Sequence, residues 1–529
     1  MRKFSLSKLI SLIVGIVVTI PIFIIFTSFL KIDMGIWEHL RIHVLPELIL
    51  NTIKLVMGVS FGTLLLGVPL AYLNAYYDYP GRKVFSFLAI LPMSIPSYIM
   101  AFVYVALFDI TGIWSLALRD LLGMKTFFPS IRNFYGISLV LSFCFYPYVY
   151  LMAKNAFEGV GARAQEVGMV MGLSKTKMLL KVILPLSRPW IFSGLILALM
   201  ETLADFGAVS IFNYTTFTTA IYRSWFGMFS LSSAQQLSAI LVSIVFVLMF
   251  VEYFLERNKS YATTGRGAQA IPRKKLKKRH SALVIFTSSF ISLFAFFIPV
   301  GMIIKWGLKT MVRDLDSRYL SFIWNTVHIA SLTVLVLIIF TLFMAYAIRN
   351  YPGKIADTIK GLSSLGYAVP GSVLAVGIFI FLSNVENSLS AERKFLTGGL
   401  TALIVGLSIR FFSISLAPIS SSFLRVSNSQ LNVMKLLKIS PFKKITKIII
   451  PMIRPGIFTA MLMVFIEVMK EMPITLMTRP FGKETLSIRI FEMTSEGEWE
   501  RAALPSLILI VISLIPTILL FIQSGKKHA

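Results

Sequence analysis

Charge, cysteine and histidine are all scarce in this sequence. Of its 529 residues, 14% are charged, five are histidine and one, Cys144, is cysteine. A single cysteine excludes a disulfide framework within the chain and a metal site built from several thiolates. Because a zinc site needs three or four ligands, the close histidine pair His39 and His43 predicts a surface pair and not a metal centre. We therefore expect no resident metal and no other cofactor.

The signatures of catalysis are missing as well. No stretch has the spacing G-x-x-x-x-G-K-[ST] that cradles nucleotide phosphates, so the chain itself is not expected to hydrolyse ATP. No nucleophile stands in a recognisable arrangement with a base. These absences indicate that the protein is not an enzyme.

Apolar residues, by contrast, are abundant: 56% of the chain is hydrophobic and the mean hydropathy is +0.80. Runs of about 20 apolar residues, each long enough to cross a bilayer as a helix, recur along the whole sequence. They predict an all-α polytopic membrane protein with about twelve transmembrane helices. The predicted spans cover roughly 9–30, 49–74, 84–108, 136–157, 190–212 and 236–256 in the first half, and roughly 281–305, 322–348, 360–383, 397–417, 456–477 and 503–523 in the second.

The net charge of +27 lies mostly in the short segments between the apolar runs. Lys and Arg in such positions set membrane topology, so we expect contact with membrane lipid and none with nucleic acid. Basic residues before the first span place the N-terminus in the cytoplasm, and an even number of spans places the C-terminus there too. The basic segment 257–280 then reads as a cytoplasmic linker between two transmembrane domains, 1–256 and 281–529.

The two halves of the chain repeat one another. Asn51 in the second span is matched by Asn325 in the eighth, and Pro96 in the third span by Pro370 in the ninth. Each half has an even number of spans, so the repeats run parallel and are related by an axis along the membrane normal. The sequence therefore predicts a pseudo-dimer of two parallel six-helix repeats within one chain.

A polar, basic segment, Gly161 to Pro189, separates the fourth and fifth spans. It predicts two short helices outside the membrane, the first stopped by Gly172 and the second capped by Ser174 and ended by Pro185. The segment Asn428 to Pro455 has the same plan in the second half. A duplicated amphipathic segment of this kind predicts a two-fold partner.

The first segment resembles the coupling loop of binding-protein-dependent ABC importer permeases, whose pattern is Glu-Ala-Ala, three residues, Gly and a later proline. The matching residues here are Glu166, Val167, Gly168, Gly172 and Pro185. The second copy departs from the pattern, since Asn432 replaces the acid and Lys438 stands at the glycine position before Pro451.

This resemblance implies the type I importer permease fold and a place in the bacterial cytoplasmic (inner) membrane. It implies two copies of a cytoplasmic ABC ATPase subunit, one docked at each coupling segment, whose closure moves the membrane helices. It also implies a periplasmic or lipid-anchored binding protein that delivers the substrate. ATP hydrolysis then belongs to the separate ATPase subunit.

Two further stretches resemble the fused permeases of ferric-iron importers. They begin with the sequences ADFGAVS at 204–210 and VMKEMP at 468–473. The resemblance covers nearly the whole chain and implies translocation of Fe3+. Fused permeases for thiamine, phosphonate or polyamine share the six-plus-six plan, so another small substrate stays open. An ion-coupled secondary transporter is a further alternative, although such a carrier needs no docking segment.

Two pairs of acidic residues fall inside predicted spans. The pairs are Glu201 with Asp205 in the fifth span and Glu467 with Glu471 in the eleventh. A spacing of four places each pair on one helix face. A carboxylate deep in a bilayer costs at least roughly 2.5–3.5 kcal/mol unless it is paired or wet, so such residues usually face a bundle interior.

We interpret these four acids as a substrate path, because a hard cation such as Fe3+ favours oxygen ligands. The two pairs hold equivalent places in the repeat, so they are expected to face each other across its axis. The structural alternative is that they pair with interior bases such as Lys470 or Arg410 and hold helices together.

Overall fold

The computed structural model describes residues 6–30, 34–123, 130–170, 173–257, 273–350, 353–389, 395–427, 429–430, 443 and 445–525. Within this part of the chain, eleven helices are long and apolar enough to cross a membrane, and a shorter apolar helix covers Gly15–Leu30. The shorter helix lies where the first span was predicted. The prediction of an all-α polytopic membrane protein is confirmed.

The long helices are numbered here in chain order, and they fall six to each half. In the first half they are α1 (Leu6–Ile24), α2 (Leu45–Tyr76), α3 (Ser97–Phe108), α4 (Phe134–Val170), α5 (Leu184–Ala204) and α6 (Leu231–Arg257). In the second half they are α7 (Lys278–Asp314), α8 (Ser317–Asn350), α9 (Gly371–Ser388), α10 (Leu400–Leu424), α11 (Ile450–Lys470) and α12 (Trp499–Gly525).

Short helical segments and one pair of strands complete the described chain. The short α-helices are Met34–His39, Arg82–Leu88, Ile113–Leu122, Lys175–Met178, Gly207–Ile211, Phe217–Tyr222, Lys354–Ala368, Pro473–Thr478 and Leu486–Ser495. Turns of 3-10 helix lie at Ile25–Leu30 and Leu91–Ser94, and π-turns lie at Leu40–Val44, Leu179–Ile183, Arg223–Gly227, Leu293–Phe297 and Ile445–Ile449. The strands β1 (Tyr77–Asp78) and β2 (Lys274–Lys275) pair in parallel.

Prolines break two of the predicted spans. In the predicted span 84–108, the helix Arg82–Leu88 is separated from α3 by the turn at Leu91–Ser94 and by Pro96. In the predicted span 360–383, Pro370 separates the helix Lys354–Ala368 from α9. The prediction of continuous helices was wrong here because proline donates no hydrogen bond and forces the residue before it out of the helical region.

The predicted spans 190–212 and 456–477 are also broken, each at an acidic residue. α5 ends at Ala204, and Asp205 adopts an extended backbone before the short helix Gly207–Ile211. α11 ends at Lys470, and Glu471 is extended in the same way before the short helix Pro473–Thr478. The first break was missed because the apolar run continues through it, whereas Pro473, two residues after Glu471, was an available signal for the second.

The segment between the fourth and fifth spans also differs from its prediction. α4 continues from the membrane to Val170, so the first predicted short helix is the end of α4. Ser174 does cap the next helix, since its hydroxyl accepts a hydrogen bond from the Lys177 N–H at 3.4 Å. Pro185 does not end that helix, however, and the chain stays helical into α5 through the π-turn at Leu179–Ile183.

The π-turn explains why the helix does not end at Pro185. Proline has no N–H for the helical ladder, and its ring collides with the carbonyl of the residue four positions earlier. A wider turn just before the proline relieves that collision while the helix continues. The second half repeats the device, with a π-turn at Ile445–Ile449 followed by Pro451 inside α11.

The first helix of each half crosses to the opposite half. α1 packs on α8, on α9 and on the helix Lys354–Ala368, whereas the turn Ile25–Leu30 that follows it packs on α6. The beginning of α7 packs on α2 and on the helix Arg82–Leu88, and its end packs on α12. The Tyr104 hydroxyl on α3 donates to the Phe294 carbonyl in α7 at 2.6 Å. The two halves are therefore interlocked and do not form separate bundles.

Candidate transport site

The four helix breaks surround one cavity of about 150 Å3. Pro96, Asp205 and Glu471 line it directly, and Tyr367 reaches it from just before the break at Pro370. Non-helical backbone at membrane depth is tolerated where it is buried in protein or lines a polar cavity. Discontinuous helices near the membrane midplane are where transporters commonly build substrate sites.

All four acidic residues predicted from the sequence line this cavity. They are Glu201 and Asp205 at the end of α5 and Glu467 and Glu471 at the end of α11. The side chains of Asp205 and Glu471 are buried, with 8% and 6% exposure. The structure thus brings the two pairs together from the two halves, and their role in transport remains a prediction.

The second acid of each pair, Asp205 or Glu471, is called the inner acid here because it lies at the helix break. Its carboxylate accepts hydrogen bonds from the start of the short helix that follows. The Asp205 carboxylate accepts hydrogen bonds from the N–H groups of Ala208 and Val209 at 2.9 and 3.1 Å, and also from the Ser97 hydroxyl. The Glu471 carboxylate accepts from the N–H groups of Ile474 and Thr475 at 2.8 and 3.0 Å. Free N–H groups at a helix start are stabilised by such anionic acceptors.

The backbone around both breaks is held by equivalent hydrogen bonds. The Asp205 carbonyl accepts from the Thr218 hydroxyl at 2.6 Å, and the Glu471 carbonyl accepts from the Ser487 hydroxyl at 3.0 Å. Asn51 donates its amide to the Thr215 carbonyl at 3.2 Å. In the second half, Asn325 donates in the same way to the Glu484 carbonyl at 3.0 Å. The duplicated asparagines therefore anchor α2 and α8 to the loops that follow the breaks.

The outer acids, Glu201 and Glu467, have fewer hydrogen bonds than the inner ones. Glu201 accepts one from the Tyr367 hydroxyl at 2.7 Å, which links the first half to the second. Both side chains are half-buried and face the cavity. In the described chain, neither holds the start of a helix, so their carboxylates remain available to a ligand.

Arg410 and Lys470, the two bases with which the acids were alternatively expected to pair, line the same cavity. The Arg410 guanidinium donates to the Val369 carbonyl at 3.0 Å, and the Lys470 ammonium donates to the Met93 carbonyl at 3.4 Å. Among the described residues, no ion pair within 4 Å joins either base to a cavity acid. Both bases thus hold backbone at the breaks, and direct pairing with the acids is not formed.

A glycine permits the close approach of the two halves beside the acids. A Cβ atom at Gly207 would lie 2.6 Å from Tyr98 Cβ and 2.7 Å from Met472 Cε. Real Cβ atoms do not approach other atoms so closely, so only glycine fits between these side chains. This glycine lies in the stretch ADFGAVS and keeps Asp205 close to the second half.

Tyr148 and Tyr367 also line the cavity, and sequence reasoning missed both. A tyrosine within an apolar run carries no special pattern, since most such residues simply pack in a bundle. The position of Tyr367 three residues before Pro370 was an available signal, because a broken membrane helix exposes its neighbours to a cavity.

The structure describes the predicted coupling residues only in part. Glu166, Val167 and Gly168 lie in the last turns of α4, and Pro185 lies at the start of α5. Pro451 lies in the equivalent place at the start of α11. Gly172, Asn432 and Lys438 lie outside the described residues. The match of Pro185 with Pro451, each directly after a π-turn, extends the repeat to the end of the bundle that carries the coupling segments.

A duplicated bundle of interlocked membrane helices, broken around one charged cavity, defines a membrane transport permease. Comparison with known proteins makes this class specific. Residues 63–260 and 338–526 both match the family described as "Binding-protein-dependent transport system inner membrane component". The chain therefore belongs to this family, as a fused permease subunit that carries the family domain twice. Permease subunits of this kind are not themselves enzymes.

Several curated proteins are similar to the chain. The Fe(3+)-transport system permease protein FbpB 2 of Haemophilus influenzae is 29% identical over 496 residues, which are 92% of this chain and 90% of that protein. The ferric transport system permease protein FbpB of Actinobacillus pleuropneumoniae is 21% identical over 81% of this chain and 64% of its own length. A probable molybdenum ABC transporter permease of Haloferax volcanii is 26% identical over 39% of this chain and 72% of its own length.

Proposed function

We propose that this chain translocates ferric iron across the cytoplasmic membrane as the permease subunit of an ATP-driven importer. The observation that supports this proposal most strongly is the charge of the cavity, whose lining contains four carboxylates and two basic side chains. Charges in a buried cavity interact more strongly than in water, so an excess of carboxylates favours a cation over an anion. Fe3+ is a hard cation that prefers oxygen ligands.

The names of the relatives support the same substrate. Two relatives that match most of the chain are named as ferric-iron permeases. The relative named for molybdenum matches less than half of the chain. The substrate that suits both the cavity and the long relatives is therefore Fe3+, delivered from outside by a periplasmic or lipid-anchored binding protein.

Coupling to ATP runs through the two duplicated segments. One cytoplasmic ABC ATPase subunit docks at each, around Glu166 and Asn432. Because an even number of spans separates each coupling segment from the nearer chain terminus, both termini lie in the cytoplasm as well. α4 is continuous from Tyr148 in the cavity wall to Glu166, a rise of roughly 27 Å at about 1.5 Å per residue. A continuous helix of this kind carries the closure of the ATPases to the cavity. Hydrolysis of ATP then returns the path to its inward-facing state.

The linker between the two permease domains, 1–256 and 281–529, also faces the cytoplasm in this scheme. Its end pairs with the loop after α2, where β2 (Lys274–Lys275) lies beside β1 (Tyr77–Asp78). Arg273 pairs with Glu158 on α4, with a nitrogen-to-oxygen distance of 3.2 Å. The linker thereby binds the helix that leads to the first coupling segment.

An oxyanion is the second candidate substrate, and Arg410 is the observation that favours it. Its Nε is buried and has no hydrogen-bond partner among the described residues, and the side chain lines the cavity together with Lys470. A guanidinium is well suited to oxyanions because it offers several donors in one plane. The excess of carboxylates opposes this assignment, and transport measurements separate the two.

The experiment is purification of the chain with its copurifying subunits, followed by reconstitution into liposomes. Uptake of radioactive Fe3+ and of radioactive molybdate is measured with and without ATP. We expect ATP-dependent uptake of iron and a copurifying ATPase. Uptake of molybdate in place of iron would overturn the substrate, and transport that persists without any ATPase subunit would overturn the importer class.

A further inference from the structure

The four cavity acids are not equivalent, and the difference points to where an ion would bind. The carboxylates of Asp205 and Glu471 are already engaged, because each accepts three hydrogen bonds from the start of a short helix or its neighbours. Removing these acceptors would leave buried N–H groups without partners, which is costly. An ion passing through the cavity therefore has Glu201 and Glu467 as its accessible carboxylates.

Two phenols stand beside those two carboxylates. The Tyr367 hydroxyl donates to Glu201 at 2.7 Å, and Tyr148 lines the cavity together with Glu201 and Glu467. All four side chains line the same cavity, with Tyr148 and Glu201 from the first half and Tyr367 and Glu467 from the second. The cavity of about 150 Å3 also has room for water, which takes roughly 30 Å3 per molecule in the liquid.

We infer that Tyr148 and Tyr367, together with Glu201 and Glu467, form a transient binding site for Fe3+ between the two halves. This inference rests on the proposed function, and it assigns the ligands that the ion meets within the path. A hard trivalent cation favours anionic oxygen donors, and tyrosine oxygen is an established iron ligand in proteins. Two carboxylates and two phenols are such a set.

The chemistry of binding balances without any further reactant. Each phenol binds as phenolate, so a new bond from oxygen to iron replaces a bond from iron to water, and that water leaves. The charge of the ion lowers the proton affinity of both phenols, and both protons pass to water in the cavity, so Glu201 keeps its negative charge. Both protons return when the ion leaves toward the cytoplasm, and the iron stays Fe3+ throughout.

A site within the transport path has to serve passage and not storage. A conduction site must bind an ion well enough to admit it and weakly enough to release it. The phenols raise the affinity for Fe3+ over softer divalent ions, because those ions gain less from phenolate ligands.

The test uses the complete transporter reconstituted in lipid, with the full-length chain and its copurified subunits. Fe3+ is supplied as its nitrilotriacetate complex, and visible absorption reports charge transfer from phenolate to Fe3+. The variants are Tyr148→Phe, Tyr367→Phe and the double change. The matched control is Tyr146→Phe, because Tyr146 is buried on the same helix as Tyr148 and is not among the described residues that line the cavity.

We expect the absorption band in the parental transporter and in the Tyr146→Phe control, and its loss in the double variant. Iron uptake by the double variant should fall at least about tenfold, equivalent to about 1.4 kcal/mol, with unchanged assembly. A double variant that keeps the band, or takes up iron at the parental rate, overturns the inference while the proposed function stands. A parental transporter that takes up no iron overturns both.

Discussion

The two halves of the chain build the same hydrogen-bond frame around the cavity but contribute different charges to it. Asp205 and Glu471 accept from the start of a short helix in each half, and their carbonyls accept from equivalent hydroxyls. Arg410 and Lys470, however, both belong to the second half, and Ala204 precedes Asp205 where Lys470 precedes Glu471. The frame is shared because each half needs it to break its helix. The charges differ because the fold does not require them to match.

The tyrosine next to the acids shows the same asymmetry. Tyr367 stands three residues before Pro370, and the equivalent residue before Pro96 is Met93. Tyr367 bonds to Glu201 through its side chain, whereas Met93 uses its backbone carbonyl to accept from Lys470. A ligand in the cavity therefore meets different groups from the two halves, even though the same backbone plan surrounds it.

The largest predicted difference between the halves concerns the coupling segments. Glu166 carries the acid of the first copy, whereas Asn432 in the second copy is neutral. Loss of a charge that is buried against a partner costs roughly 2–5 kcal/mol. We expect Glu166→Ala to reduce transport-coupled ATP hydrolysis more than about tenfold and Asn432→Ala to have a much smaller effect. Hydrolysis by the reconstituted complex, with ATPase binding as the control, measures both.

Equal losses in these two variants would break the comparison at the coupling segments. They would mean that the two copies dock equivalently despite their different sequences. A loss of ATPase binding in Glu166→Ala would locate the effect in assembly and not in transmission.

A smaller difference is predicted at the helix breaks. Glu471→Ala removes a carboxylate that accepts hydrogen bonds from two backbone N–H groups and from the Thr475 hydroxyl. The free energy of unfolding should therefore fall by about 1–2 kcal/mol. Asp205→Asn keeps an oxygen acceptor and should lose much less, since asparagine caps helices almost as well as aspartate. Thermal unfolding of the purified chain in detergent compares the two. A loss in Asp205→Asn as large as in Glu471→Ala would mean that the negative charge, and not the hydrogen bond, holds the break.

The smallest predicted effect concerns the two asparagines, Asn51 and Asn325, that anchor α2 and α8 to the loops after the breaks. Asn325 is buried with 4% exposure, whereas Asn51 is half-buried. Asn325→Ala should cost about 1 kcal/mol, and Asn51→Ala less, because water can replace a bond near the surface. Unfolding midpoints of the two alanine variants measure the order. The reverse order would show that exposure does not control the strength of these anchors.

Much of the architecture was predictable because it depends on apolar runs and on repeats. The six-plus-six plan, the position of the duplicated segment and the convergence of Glu201 with Glu467 all follow from sequence spacing. Ser174 was predictable as a cap because capping depends on a local hydrogen bond.

The backbone geometry at Asp205 and Glu471 and the place of Tyr148 in the cavity wall were not predictable by the same reasoning. The breaks at Asp205 and Glu471 depend on hydrogen bonds to Ser97, Thr218 and Ser487, which are distant in sequence or separated by a turn. Apolar periodicity carries no record of such partners. The continuation of the helix through Pro185 depends on a π-turn, which composition does not signal.

The central claim is that the cavity acids have different roles. Glu201 and Glu467 contact the ion, whereas Asp205 and Glu471 hold the backbone at the helix breaks. The direct measurement is ATP-dependent uptake of radioactive Fe3+ by the reconstituted transporter carrying Glu201→Gln and Glu467→Gln, compared with Asp205→Asn and Glu471→Gln. The account predicts a fall of at least about tenfold in the first double variant, with normal assembly and basal ATP hydrolysis, and a smaller fall in the second. Undiminished uptake by the first double variant would contradict it.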